Sequence, residues 1–204
     1  MPRSSAPDAV APDEALARLR EGNQRFIKGE GSAFRRWHPG LVDGQRPFAV
    51  VLGCSDSRAP AEYVFDQGLG DLFVIRVAGN IVAPSQVGSV EFAASLFGTR
   101  LVVVMGHTQC GAVAATVHAL EHGGSGESRN IQSIVDRIAP HLQHLAGSSG
   151  DPQARLEQAV RANALASAQD LRNSSPLLRQ LVESGRVAIA AAVYDLATGM
   201  VTFL

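Results

Sequence analysis

The chain has 204 residues, of which 46% are hydrophobic and 18% charged, and its formal net charge is −1. These values are typical of one globular domain with a substantial core, and they provide no electrostatic basis for binding nucleic acid or an anionic membrane. The two cysteines, Cys54 and Cys110, are too few for a secreted disulfide scaffold. Counting alone leaves a single bridge open, but we expect reduced thiols.

The N-terminal stretch lacks the unbroken apolar segment of a signal peptide, and no later run reaches the ~20 apolar residues of a membrane span. We therefore expect a cytoplasmic protein. Residues 1–12 are predicted to be a flexible segment, and residues 13–204 to form a single domain that includes an N-terminal helical arm. Asp13 is expected to cap the helix of this arm, which should end near Gly29. Such an arm has little core of its own and is expected to pack across a partner.

Short apolar runs rich in β-branched residues predict strands buried on both faces of a parallel sheet. They are Phe48–Leu52, Leu72–Val77, Leu101–Met105 and Val187–Val193, with an additional edge strand predicted at Met200–Leu204. Helices are predicted at 86–98, 110–124, 126–145 and 152–173. The alternation of strands and helices predicts an α/β fold with a mainly parallel central sheet of four strands plus the edge strand.

Reactive side chains follow two of the predicted strands. Cys54 lies just past the first strand, and His107 and Cys110 lie just past the third. Because parallel strands deliver their carboxyl ends to one edge of the sheet, these residues can supply two sulfurs and one nitrogen to a common centre. This donor set suits zinc, with one position left for water or another ligand. Backbone N–H groups at the start of the next helix are expected to favour the Cys110 thiolate.

The fourth ligand position is expected to be open or filled by a carboxylate, because no third cysteine exists. The remaining histidines are expected in loops or on helix surfaces, and they are His38, His118, His122, His141 and His144. The candidate carboxylate is Asp56, which Arg58 can hold in an ionised, fixed orientation through a bidentate pair. Two thiolates cancel the charge of Zn²⁺, so its water is acidified less than in a tris-histidine site and such assistance is useful.

The segment "CSDSR", followed about fifty residues later by "GHTQCGAV", resembles the β-class carbonic anhydrases. The segments "LARLREGNQRF" near the start and "VAIAAAVYDLATGMVTFL" at the end extend the resemblance over nearly the whole chain after residue 12. The resemblance implies one zinc ion per subunit on Cys54, His107 and Cys110. It implies that Asp56 and Arg58 orient zinc-bound hydroxide for reversible hydration of carbon dioxide to bicarbonate and a proton. In some members of the family, the aspartate instead binds the zinc ion as its fourth ligand.

The resemblance also implies a substrate pocket and an assembly. Gln45 matches a glutamine that hydrogen-bonds the substrate, and the Gly111 N–H matches a donor to a bicarbonate oxygen. Phe73 and Ala78 would form apolar walls, with Phe92 contributed by a neighbouring subunit. The implied assembly is a homodimer, which can pair into a tetramer.

Two positions depart from family patterns. Val77 replaces an asparagine that often follows the strand arginine, so a local hydrogen-bond network is expected to differ. Val51 replaces the tryptophan of a subtype with a non-catalytic bicarbonate pocket, although Arg76 and Tyr194 fall near the other positions of that pocket. We therefore expect no bicarbonate inhibition through it.

Two other functions fit parts of the pattern. The same fold could hydrolyse a related linear molecule such as carbonyl sulfide or carbon disulfide, which needs the same hydroxide and a different access path. Alternatively, Cys54 and Cys110 could form a thiol switch or a structural metal site in a non-catalytic regulatory protein. That alternative leaves Asp56 and Arg58 without a role.

Overall fold

The structure, a computed structural model, describes residues 9–31, 37, 39–123, 128–145 and 151–204. Within these residues five strands form one sheet, and they are β1 (Ala49–Gly53), β2 (Leu72–Arg76), β3 (Leu101–His107), β4 (Ala188–Tyr194) and β5 (Val201–Phe203). Their spatial order is β2-β1-β3-β4-β5, with β2, β1, β3 and β4 mutually parallel and β5 antiparallel to β4. The predicted α/β fold and its additional edge strand are confirmed.

The two central strands carry the core. Every residue of β1 and β3 is buried, as expected for strands covered by helices on both faces. Alternate side chains enter two separate apolar clusters: Val51 and Val103 on one face, Val50 and Val102 on the other. A third cluster surrounds the carboxyl ends of these strands.

Helices cover both faces of the sheet. They are α1 (Pro12–Ile27), α2 (Ala61–Val64), α3 (Pro84–Phe92), α4 (Gly111–His122), α5 (Arg129–Leu142), α6 (Pro152–Asn173) and α7 (Pro176–Glu183). A π-helical turn, Ala93–Phe97, extends α3. The four predicted helices after the arm are confirmed, whereas the short helices α2 and α7 were not predicted. Among the helices described here, none has the length and apolar character needed to cross a membrane.

The start of the first helix differs from the prediction. Residues 1–8 of the predicted flexible segment lie outside the described residues. Helix α1 begins at Pro12, and its N-cap residue is Ala11, which makes no side-chain cap, so the prediction that Asp13 caps this helix is wrong. Pro12 suits the first helical position because an N–H there would have no partner within the helix. Asp13 lies in the first turn, where its negative charge interacts favourably with the helix dipole.

Helix α1 packs against the sheet of its own chain. Ala15 and Leu19 are fully buried in the same apolar cluster as Val51 and Val103. Asn23, also buried, donates hydrogen bonds to the Val64 and Gly199 carbonyls at 3.0 and 2.8 Å. Helix α1 thus joins the core of its own chain through long-range contacts, and its packing across a partner stays a prediction.

Gly22 allows this helix to approach the chain after α2. A Cβ atom built on Gly22 would lie 1.8 Å from the carbonyl oxygen of Phe65. One built on Gly88, within α3, would meet no atom of the described residues within 4 Å. Both glycines are inside helices, so alanine should gain the same intrinsic propensity at each site. Only the tertiary contact distinguishes them.

We predict that Gly22→Ala lowers the free energy of unfolding by roughly 2 kcal/mol. The overlap of the new methyl group with the Phe65 carbonyl oxygen would force α1 away from the residues on which it packs. The matched variant Gly88→Ala should be unchanged or more stable by up to about 1 kcal/mol. Chemical denaturation of both variants measures the difference. Equal stability of the two variants would contradict the proposed close contact.

Candidate metal centre

The sheet brings the predicted ligands together at its carboxyl edge. Strand β1 ends at Gly53, immediately before Cys54, and the adjacent parallel strand β3 ends at His107. Cys110 follows three residues later, as the N-cap residue of α4. Pairing of β1 with β3 therefore places two loops that are far apart in the chain side by side.

The three side chains form a buried cluster. Their candidate ligand atoms, two sulfurs and one imidazole nitrogen, all lie within 4.8 Å of one another. Cys54 is 5% exposed, and His107 and Cys110 are each 1% exposed. Zinc bonds of about 2.0–2.3 Å in tetrahedral geometry separate ligand atoms by roughly 3.5–3.8 Å, so small adjustments would let all three share one ion. The donor set and its spacing fit zinc.

The His107 ring is oriented for ligation. Its Nδ1 lies 2.9 Å from the Thr108 carbonyl oxygen, which only accepts hydrogen bonds, so the proton is on Nδ1. Its Nε2 is buried and has no hydrogen-bond partner among the described residues. A buried nitrogen without a partner is costly, and a metal ion beside the two sulfurs would satisfy it.

The two thiols shift each other's pKa in opposite directions. Hydrogen bonding from the Cys110 side chain lowers the pKa of Cys54, against the opposing effect of burial. The same interaction with Cys54, together with burial, raises the pKa of Cys110. The N–H groups of Ala112 and Val113, at the start of α4, favour the Cys110 thiolate as predicted, but the Cys54 interaction outweighs them.

The pKa of His107 is also raised. Burial of the ring opposes protonation, but the Cys54 thiolate and the Thr108 carbonyl outweigh that effect. The imidazole must lose this additional proton before Nε2 can bind a cation.

Asp56 and Arg58 form the predicted bidentate pair. Arg58 donates from Nε to Oδ1 at 2.9 Å and from Nη2 to Oδ2 at 2.7 Å, and its backbone N–H also donates to Oδ1 at 2.9 Å. The hydrogen bonds from the Arg58 side chain hold the pKa of Asp56 well below its usual range. The Asp56 Oδ2 lies 3.8 Å from Nε2 of His107, so this ionised carboxylate borders the metal centre.

Arg76, which the sequence analysis considered only for a non-catalytic bicarbonate pocket, supports the ligand loop. From the end of β2 it donates to the Cys54 carbonyl at 3.1 Å and to the Asp56 carbonyl at 2.6 Å. These bonds tie the ligand loop to the neighbouring strand. The signal in the sequence was an arginine ending a strand beside β1, but only the strand order shows which carbonyls it reaches.

The residues of the predicted pocket lie in several places. Gln45 is exposed in the loop before β1, Gly111 is the first residue of α4, and Ala78 follows β2. Phe73, within β2, packs against Phe92 of the same chain with ring centroids 6.3 Å apart. Gly111 thus directly follows the ligand Cys110, whereas Phe73 and Phe92 belong to an aromatic group.

Comparisons with known proteins identify similar chains. Residues 49–201 match the family model described as carbonic anhydrase. Carbonic anhydrase 2 of Mycobacterium tuberculosis is 36% identical over 196 residues, covering 92% of this chain and 90% of that protein. The carbonic anhydrase of Mycolicibacterium smegmatis is 38% identical over 196 residues, covering 93% and 92%.

A solved structure supports the same architecture. A tetrameric β-carbonic anhydrase from the filamentous ascomycete Sordaria macrospora superimposes with a TM-score of 0.74, covering 93% of this chain and 96% of that one. The sequences are 20% identical, so this likeness concerns the fold.

We predict that zinc affinity rises with pH, because zinc must displace protons from groups whose pKa values are raised, Cys110 and His107. Each displaced proton should increase the apparent binding constant about tenfold per pH unit. Competition with a chelator of known affinity between pH 6 and 8 measures this slope. A His107→Ala variant, which lacks one titrating ligand, should have a shallower slope. A binding constant that does not change with pH would contradict the prediction.

Proposed function

Because the chain belongs to the β-class carbonic anhydrases, enzymes whose general activity is reversible hydration of carbon dioxide, we propose that Cys54, His107 and Cys110 bind its catalytic zinc ion. The observation that carries this proposal is the buried His107 Nε2, which lies beside two cysteine sulfurs and has no hydrogen-bond partner in the described part of the chain. When bound, zinc would act as a Lewis acid that lowers the pKa of water and so makes it a nucleophile near neutral pH.

Asp56 and Arg58 are proposed to orient the nucleophile. Both Asp56 oxygens accept hydrogen bonds from Arg58, which keeps the carboxylate ionised and fixed beside the ligands. An ionised carboxylate can only accept, so it can take a hydrogen bond from the attacking oxygen and direct that oxygen's lone pair towards carbon dioxide. A closed state, in which Asp56 leaves Arg58 and becomes the fourth zinc ligand, stays a prediction.

The proposed substrate contacts are those that the family resemblance implies. The Gly111 N–H lies at the first position of α4, where backbone N–H groups lack partners within the helix and suit a bicarbonate oxygen. Gln45 is proposed as a hydrogen-bond donor to substrate. Phe73, Ala78 and a partner's Phe92 are proposed as apolar walls.

A homodimer, or a tetramer built from dimers, is the proposed assembly. Phe92 and Leu96 are 51% and 58% exposed in this chain, which leaves an apolar surface beside the aromatic group containing Phe73. Burying such a surface against a second copy would be favourable. The single-domain organisation and the cytoplasmic location expected from the sequence stay predictions.

We predict that the zinc-loaded chain hydrates carbon dioxide and that Cys54→Ala and His107→Ala abolish this activity, because each removes a ligand. The matched control, His144→Ala, changes an exposed histidine and should retain activity. Stopped-flow measurement of proton release, with zinc content determined on the same samples, tests the prediction. A folded, zinc-loaded wild type without carbon dioxide turnover would refute the proposal, and turnover of carbonyl sulfide instead would support the alternative substrate.

We predict that Asp56→Asn lowers kcat by roughly 100-fold while the zinc content stays at one ion per chain, because an amide can donate as well as accept and no longer fixes the nucleophile. The matched control is Glu121→Gln, which weakens another carboxylate–arginine pair, with Arg155, at 2.6 Å. Its turnover should equal that of the wild type. Full activity of Asp56→Asn would remove Asp56 from the proposed mechanism.

A further inference from the structure

His141 occupies an environment that the sequence analysis did not anticipate. It was predicted to lie in a loop or on a helix surface, but its side chain is only 9% exposed, between α5 and α6. Its Nδ1 lies 2.9 Å from Oδ1 of Asn163, and its Nε2 lies 2.8 Å from Oδ2 of Asp170. Asn163 and Asp170 are two turns apart on the same face of α6, so one ring spans both.

The direction of these hydrogen bonds follows from the backbone. Asn163 is fully buried, and its Nδ2 lies 2.9 Å from the Gly79 carbonyl oxygen. A carbonyl only accepts, so the amide must present its NH₂ group to Gly79 and its oxygen to His141. His141 Nδ1 must therefore donate. Its Nε2 faces the Asp170 carboxylate, so both ring nitrogens lie against acceptors.

Gly79 connects this series of hydrogen-bonded side chains to the metal centre. Its N–H donates to the Cys54 sulfur at 3.3 Å, while its carbonyl accepts from Asn163. Its φ of 68° is in the left-handed region, and a Cβ there would lie 2.7 Å from Ile138 and 3.1 Å from Ala112. Glycine is therefore required for both the backbone conformation and the close packing.

We propose that Asp170, His141 and Asn163 are positioning residues that hold Gly79 with its N–H directed at Cys54 and thereby set how tightly Cys54 holds zinc. This inference rests on the proposed zinc centre and adds residues outside it. An N–H bond to a ligand thiolate stabilises its charge and fixes its lone pairs. Hydrogen bonds of this kind behind a metal ligand typically change metal affinity by about 10–100-fold.

A purely structural role is the competing explanation, because the same bonds also fasten α6 to α5 and to the loop after β2. That role predicts a loss of stability and no change at the metal beyond that of an equally destabilising substitution elsewhere in the fold. Two measurements separate the explanations: zinc affinity by chelator competition, and the thiolate-to-metal charge-transfer absorption of the cobalt(II)-substituted protein. The absorption reports directly on the cysteine ligands.

The test compares two variants with two matched controls. Asn163→Leu removes the amide and keeps the branched shape of the side chain, and His141→Leu removes the ring nitrogens at similar volume. Asn23→Leu removes another buried asparagine that holds backbone carbonyls, on α1, and His144→Leu changes an exposed histidine near His141. We expect Asn163→Leu to weaken zinc binding about tenfold or more and to move the cobalt absorption to longer wavelength. His141→Leu should have a smaller effect of the same sign, and both controls should match the wild type.

The outcomes separate this inference from the proposed function. If the wild type binds zinc and both test variants keep its affinity and its absorption, the positioning role is refuted and the metal centre stands. If the wild type binds no zinc, the proposed centre fails, and the inference with it. If Asn163→Leu does not fold, His141→Leu decides the question alone. If Asn23→Leu weakens zinc binding equally, the effect is general destabilisation and the inference is overturned.

Discussion

Parallel pairing of β1 with β3 is the constraint on which the centre depends. The register places Gly53 beside Met105, so the chain leaves both strands at the same edge, where Cys54 and His107 meet. Burial of both strands on both faces provides the free energy that holds this register. A slip of one residue would reverse which side chains enter each apolar cluster, so core packing and ligand geometry enforce each other.

Much of this arrangement could be predicted from short segments. Runs of β-branched residues indicate buried strands by composition alone, and reactive residues just beyond two such runs must meet if the strands are parallel neighbours. Local patterns were less informative about helix starts, because Ala11 rather than Asp13 is the N-cap residue of α1. The four-residue helix α2 and the eight-residue helix α7 are too short for a repeated apolar pattern to distinguish them from loops.

The support around the ligands depends on contacts between distant parts of the chain. Arg76 reaches the ligand loop only because β2 lies beside β1, and His141 meets Asn163 and Asp170 only because α5 packs against α6. Polar residues on helices usually face solvent, and nothing in the sequence near His141 separates it from exposed His144. Such contacts become visible only in the folded chain.

The negative charges at the metal centre explain why several hydrogen-bond donors surround it. Two buried thiolates and the nearby Asp56 carboxylate would be strongly repulsive without compensation. Protonation of one thiol relieves this repulsion, in keeping with the hydrogen bond with Cys54 and the burial that raise the pKa of Cys110. Arg58 and the N–H groups at the start of α4 offset part of the negative charge from outside. A divalent cation would replace the retained proton and neutralise both sulfurs, so the same electrostatics that disfavour a second free thiolate favour the metal.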